Sequence, residues 1–219
     1  MIKYTFKFES GITSTFEIDF DSLTSAPDGI PDWMLLENNK CPHCPLKSCD
    51  TKICPAALEV SPVIEAFKDT LSTEQVFARV ETPERNYEKQ LDAQRAITAL
   101  VGLLMAKSQC PILSELRGLA KFHLPFANTE EALFRSVGAY FLKQYYKHKA
   151  GQADALDLKG LSDFYESLCL LNEHFYKRIR LASKKDANLN AVVVLHSLSS
   201  IVILSLDDQL ENLKDQFGN

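Results

Sequence analysis

Cys41, Cys44, Cys49 and Cys54 fall within fourteen residues, in the spacing Cys-x2-Cys-x4-Cys-x4-Cys. Thiolates this close in the chain can meet around one metal, and soft sulfur ligands in tetrahedral number select Zn²⁺ or an iron-sulfur cluster. Each ligand must be deprotonated, so a four-thiolate zinc site carries a charge of about −2. Lys40, Lys47 and Lys52 stand among the cysteines, opposed by Asp50 alone. That local positive excess suits an anionic site. The compact quartet Cys41, Cys44, Cys49 and Cys54 is therefore the expected metal site. A different fourth ligand competes with it, because Cys41, Cys44, Cys54 and Cys110 are each followed by proline while Cys49 and Cys169 are not. Proline after a ligand removes an amide and fixes the turn. Cys110 is thus the alternative to Cys49, and Cys169, beside Leu168 on a helix, is expected to be a small buried apolar residue.

The compartment decides between metal and disulfide. The chain starts with Met1-Ile2-Lys3-Tyr4-Thr5-Phe6, an alternating strand-like run rather than an apolar secretory segment, which predicts a cytoplasmic protein with free thiols. A formal net charge of −5 argues against general nucleic-acid or membrane-surface binding, since both need a dominant basic field. With 219 residues, 46% of them hydrophobic, the chain is long enough for an ordinary buried core.

The elements that must hold the cysteines divide in two. Residues 3–8 and 13–19 alternate as strands around the turn Glu9-Ser10-Gly11, and a second hairpin is predicted at 75–82 and 85–91. The two hairpins are expected to share one small antiparallel sheet. Between them lie the irregular Ala26-Pro27-Asp28-Gly29-Ile30-Pro31, the cysteines, and a short helix predicted near 62–70. From Asp92 onward the pattern is helical. Ala96, Ile97, Leu100, Val101, Leu103 and Leu104 make a nearly all-round apolar helix, which in a soluble protein is central. Asn128 and Glu131 have capping-box spacing, opening a helix that carries Leu133, Val137 and Tyr140. Leu161, Phe164, Leu168, Leu171, Phe175 and Ile179 step by three and four along the next. The last begins near Ala187 and is read as a buried bundle helix, too short and polar for a membrane span. The fold class expected is α+β: a small N-terminal antiparallel sheet with a cysteine metal loop (1–91) packed on a C-terminal bundle of four or five helices (92–219).

Other reactive residues carry a blander reading. His123 and Arg95 could join Cys110 in a polar pocket, and a Cys–His pair can make a nucleophile, but a helix-end hydrogen bonder is the commoner fate of such a histidine. His196 is expected to be a satisfied buried histidine, and His174 an edge residue. Lys143, Lys147 and Lys149 form one basic run and Lys177, Arg178, Arg180, Lys184 and Lys185 another; both are read as solvated helix ends. The chain lacks the phosphate loop, the dinucleotide fingerprint, the nucleophile elbow and the His-Glu-x2-His zinc helix. No histidine has a glutamate three residues before it, so the ligand pairs of di-iron bundles are missing too.

Short resemblances surround the cysteines. The spacing is similar to a retroviral zinc knuckle with Cys49 at the histidine position, but Pro45 and Ser48 replace its glycines and the base-stacking aromatics are absent. Cys41-Pro42-His43-Cys44 resembles a zinc-ribbon or rubredoxin turn, and Cys54-Pro55 the end of a bacterial ferredoxin motif. Over most of its length, through Cys41-Pro42-His43-Cys44-Pro45-Leu46, Cys54-Pro55, Gly102-Leu103-Leu104-Met105, Cys110-Pro111 and Phe122-His123-Leu124-Pro125-Phe126, the chain resembles an uncharacterised bacterial family. That resemblance implies one continuous architecture and no assigned activity. The functional expectation is a metal-binding, zinc-favoured, non-enzymatic binding or adaptor protein for an unknown protein partner, with an iron-sulfur redox or sensory protein as the alternative. Leu206, Leu210, Leu213 and Phe217 form a further apolar stripe beside Asp207, Asp208, Glu211 and Asp215, which is expected either to pack on the protein's own bundle or to pair with a second copy, a homodimer through the C-terminal helix being the favoured of the two.

Overall fold

A computed structural model describes residues 1–152 and 158–214. Strands β1 (Ile2–Phe8), β2 (Thr13–Ile18), β3 (Gln75–Glu81) and β4 (Asn86–Asp92) form one antiparallel sheet in the order β2-β1-β3-β4. The alternation in β1 sends Tyr4, Phe6 and Phe8 to the buried face and Lys3, Thr5 and Lys7 to the other, while Val76, Ala78 and Val80 of β3 continue that face. The two hairpins share a sheet as their patterns require.

Helix α1 (Pro55–Ala66) fills the excursion between β2 and β3 and starts earlier than the helix expected near 62–70. Proline at its first position needs no amide there. Pro62 lies inside it without ending it: the Leu58 carbonyl that a residue-62 amide would have served accepts instead from the Ser61 hydroxyl at 2.8 Å. Phe67, just past α1, packs edge-on against Phe6 at 5.5 Å and also meets Phe8 and Phe16.

Asp92 ends β4 and caps α2 (Ala93–Lys107), its carboxylate accepting from the Arg95 amide at 3.1 Å. Helix α2 is buried nearly all round, as its composition predicts. A 3₁₀ turn (Leu113–Leu116) and a short α3 (Arg117–Lys121) lead to α4 (Thr129–Lys149), opened by the reciprocal capping box of Asn128 and Glu131. Helices α5 (Lys159–Ile179) and α6 (Ala187–Lys214) pack extensively together, and α6 also lies along α2. One continuous apolar core runs from β1 and α1 through α2 to α5 and α6. Within α6, Ala187–Leu204 is long and apolar enough to cross a membrane by length and composition, with a third of that segment buried in this chain. Leu206 is buried and Leu210 packs against the core. The Leu213 side chain and Phe217, from the same stripe, lie outside the described residues.

Deep in this core Lys107 of α2 pairs with Glu59 of α1 at 2.8 Å, both side chains about 5% exposed. Glu59 also accepts from the Thr24 hydroxyl at 2.9 Å, so the irregular segment before α1 is tied to the helices.

Candidate metal centre

The segment from Met34 to Cys54 has little regular structure, and its backbone is held at a few points. Leu35 and Ile53 form an isolated antiparallel bridge; the Leu36 amide donates to the Lys52 carbonyl at 2.8 Å and the Cys54 amide to the Met34 carbonyl at 2.9 Å. The chain between them turns twice, through the Cys44 amide to the Cys41 carbonyl at 3.0 Å and the Asp50 amide to the Lys47 carbonyl at 3.0 Å. Asn39 takes a left-handed conformation (φ 47°), which asparagine tolerates better than most residues. Cys54 is the N-cap of α1.

Cys41, Cys44, Cys54 and Cys110 line one cavity of about 20 Å³, closed by Leu36, Leu171, Phe175 and Arg178 among others. They come from three places in the chain: the Cys41–Cys44 turn, the start of α1, and the bend after α2. The cysteine followed by proline is the one that lines this cavity at every position. Cys49 is exposed, does not line the cavity, and has its sulfur 3.6 Å from Asp50 Oδ1. Cys169 is half-buried between α5 and α6 with its sulfur 3.5 Å from the Ser200 hydroxyl.

Burial favours the protonated form of Cys41 and of Cys110. Burial, followed by the charges that Cys54, Cys110 and Cys44 would carry, pushes the Cys41 thiol up to about 12, with Arg178 pulling the other way. Burial also raises the Cys110 thiol, with the backbone at Leu113 and Ile112 pulling the other way. Among the described residues no three His, Cys, Asp or Glu side chains stand in a metal-holding arrangement.

Arg178 departs most from its expected setting. It is 2% exposed, whereas the basic run that includes it was expected at a solvated helix end. Its guanidinium donates to the carbonyls of Trp33 (2.8 Å), Leu35 and Leu36 (3.2 Å), fixing the start of the cysteine segment onto α5. The signal was in the spacing: Arg178 follows Leu171 by seven and Phe175 by three, on the buried stripe of α5 rather than off it. The remainder of that run, Lys177, Arg180, Lys184 and Lys185, stays at the surface or half-exposed.

The suggested pocket of Cys110, His123 and Arg95 does not form. His123 and Arg95 line a groove of about 810 Å³ between β4, α2, α4 and α6, while Cys110 belongs to the thiol cavity. His123 is hydrogen-bonded through Nε2 to the Tyr4 hydroxyl. Burial, then the charge of Arg135, lowers it to about 4, so it stays neutral. Tyr4 is held well above its ordinary range by burial. His196 places Nδ1 3.2 Å from the Cys169 carbonyl, and His174 is half-buried with Nδ1 unpartnered.

A family model described as "Domain of unknown function (DUF6901)" matches residues 2–218. No curated protein and no solved structure matches the chain. The expectation of an uncharacterised family is thereby met at the level of the whole domain, and the chain belongs to the DUF6901 family.

Proposed function

We propose that Cys41, Cys44, Cys54 and Cys110 bind one Zn²⁺, and that the protein is a non-enzymatic, metal-stabilised binding or adaptor protein. The observation that carries this reading is the convergence of the four Cys-Pro cysteines, from three separate segments, on one cavity from which Cys49 stands apart. A space of about 20 Å³ suits a single ion, since even one water needs roughly 10–15 Å³ by the same measure. Binding would deprotonate the four thiols and close them on the ion, joining the irregular segment to α1 and to the end of α2. In that role the metal is a structural cross-link, and the reducing interior of a cell, where we place the protein, keeps the thiols available.

An iron-sulfur redox or sensory protein is the second reading. It would use the same four thiolates. The cavity volume favours the single ion over a cube of iron and sulfide. The partner is proposed to be a protein, and a second copy of the chain would have to meet the C-terminal end of α6 beyond Leu206 and Leu210, which pack on the chain's own core. Elemental analysis of anaerobically purified protein tests the metal: one zinc per chain and no visible charge-transfer band supports the leading reading. Iron and sulfide with visible colour would support the second, and a correctly folded chain that takes up neither metal would refute both.

A further inference from the structure

We infer that Arg178 is the internal counter-charge of the thiolate site and sets its affinity for metal. This rests on the metal reading above and deepens it. A guanidinium is always charged at physiological pH, and burying one costs several kcal/mol unless an opposite charge or a full set of hydrogen bonds answers it. Arg178 is almost fully buried, yet among the described residues no carboxylate lies within ion-pair distance of it. Its carbonyl partners at Trp33, Leu35 and Leu36 offer dipoles, and its place in the last turn of α5 adds the negative end of a helix dipole. Neither supplies a whole negative charge.

The thiol cavity does. Arg178 lines it together with all four Cys-Pro cysteines. Four thiolates on one Zn²⁺ carry about two negative charges, which is what a buried, otherwise unanswered guanidinium lacks. Lys40 lines the same cavity, but its ammonium is answered by Glu37 at 3.0 Å. Arg178 therefore does two things with one side chain: its fork holds the backbone at residues 33–36, and its charge offsets the thiolates that the following residues contribute.

The test compares zinc affinity of wild type, Arg178→Gln and Arg178→Lys by competition with a chromogenic chelator at pH 7, with circular dichroism of each metal-free protein as a folding check. Removal of the charge in Arg178→Gln should weaken zinc binding by about 10–100-fold, the range typical of groups just outside a ligand shell. Arg178→Lys keeps the charge but not the planar fork, and should stay within about threefold of wild type. Equal affinity of Arg178→Gln and wild type would overturn the inference while leaving the metal site intact. An equally large loss in Arg178→Lys would also overturn it, because the fork and not the charge would then set affinity. Should Arg178→Gln not fold, Arg178→Lys decides alone: near-wild-type affinity supports the inference and a tenfold loss refutes it. If wild type itself binds no zinc, the metal reading falls, and the inference with it.

Discussion

The buried face of the sheet and the Met34–Cys54 segment are packed against the same helices but cohere by different physics. On the sheet, Phe6, Phe8 and Phe16 meet Phe67 at centroid separations of 5.5–5.9 Å, and no polar group is needed to hold them. In the cysteine segment a single bridge, a few amide bonds and the Arg178 fork do the work around four thiols. The first region gains stability in proportion to apolar area removed from water. The second gains it from directed polar contacts, and by our proposal from an ion. One region should therefore be indifferent to chelators and sensitive to side-chain truncation, and the other the reverse.

Truncation of the sheet-side cluster is expected to have the largest effect. Phe67→Ala removes a fully buried ring from contact with three others and should cost about 4 kcal/mol in urea unfolding, with zinc uptake of the folded fraction unchanged. A loss of less than about 1 kcal/mol would mean that the cluster is not the anchor of the sheet.

Next comes the Glu59–Lys107 pair, a polar contact buried as deeply as the apolar core. Lys107→Met leaves Glu59 with only its contacts from Thr24 and should destabilise by about 3 kcal/mol. The double replacement Glu59→Leu with Lys107→Met should recover at least half of that, since a buried pair contributes little beyond its apolar substitute. Further loss in the double variant would show instead that the pair itself stabilises the join between α1 and α2.

A smaller effect is expected from pH. His123 is held at about 4 in the fold, against an unfolded value near 6.5, so the unfolded chain binds the extra proton first as pH falls. Its contribution is complete above about pH 6.5 and is lost progressively down to about pH 4, with an upper limit of roughly 3 kcal/mol. His123→Gln, which has no titrating ring, should flatten the stability profile over that window. An unchanged slope would show that His123 is not what makes the fold acid-sensitive.

The contrast between the regions also explains what could be read from the sequence. Period-two alternation in β1 and β3, the all-apolar α2 and the capping box at Asn128 each depend on neighbours in the chain, so local pattern sufficed for the sheet and the helices. Helix α1 spans Pro55–Ala66 rather than 62–70, and it runs through Pro62 because the Ser61 hydroxyl takes over the carbonyl that this proline strands. The cavity is a long-range object. Compact spacing drew attention to Cys49, while the shared following proline pointed to Cys110, 56 residues beyond Cys54. Arg178 was counted with its basic neighbours because charge outweighed its position on the stripe of Leu171 and Phe175.

The most direct test of the account is the zinc content and zinc affinity of Cys49→Ser beside Cys110→Ser, measured on folded protein by elemental analysis and chelator competition. Cys49→Ser should keep one full equivalent at wild-type affinity, and Cys110→Ser should lose the metal or bind it at least tenfold more weakly. Loss in Cys49→Ser with full retention in Cys110→Ser would contradict the account and return the site to the compact run of Cys41, Cys44, Cys49 and Cys54.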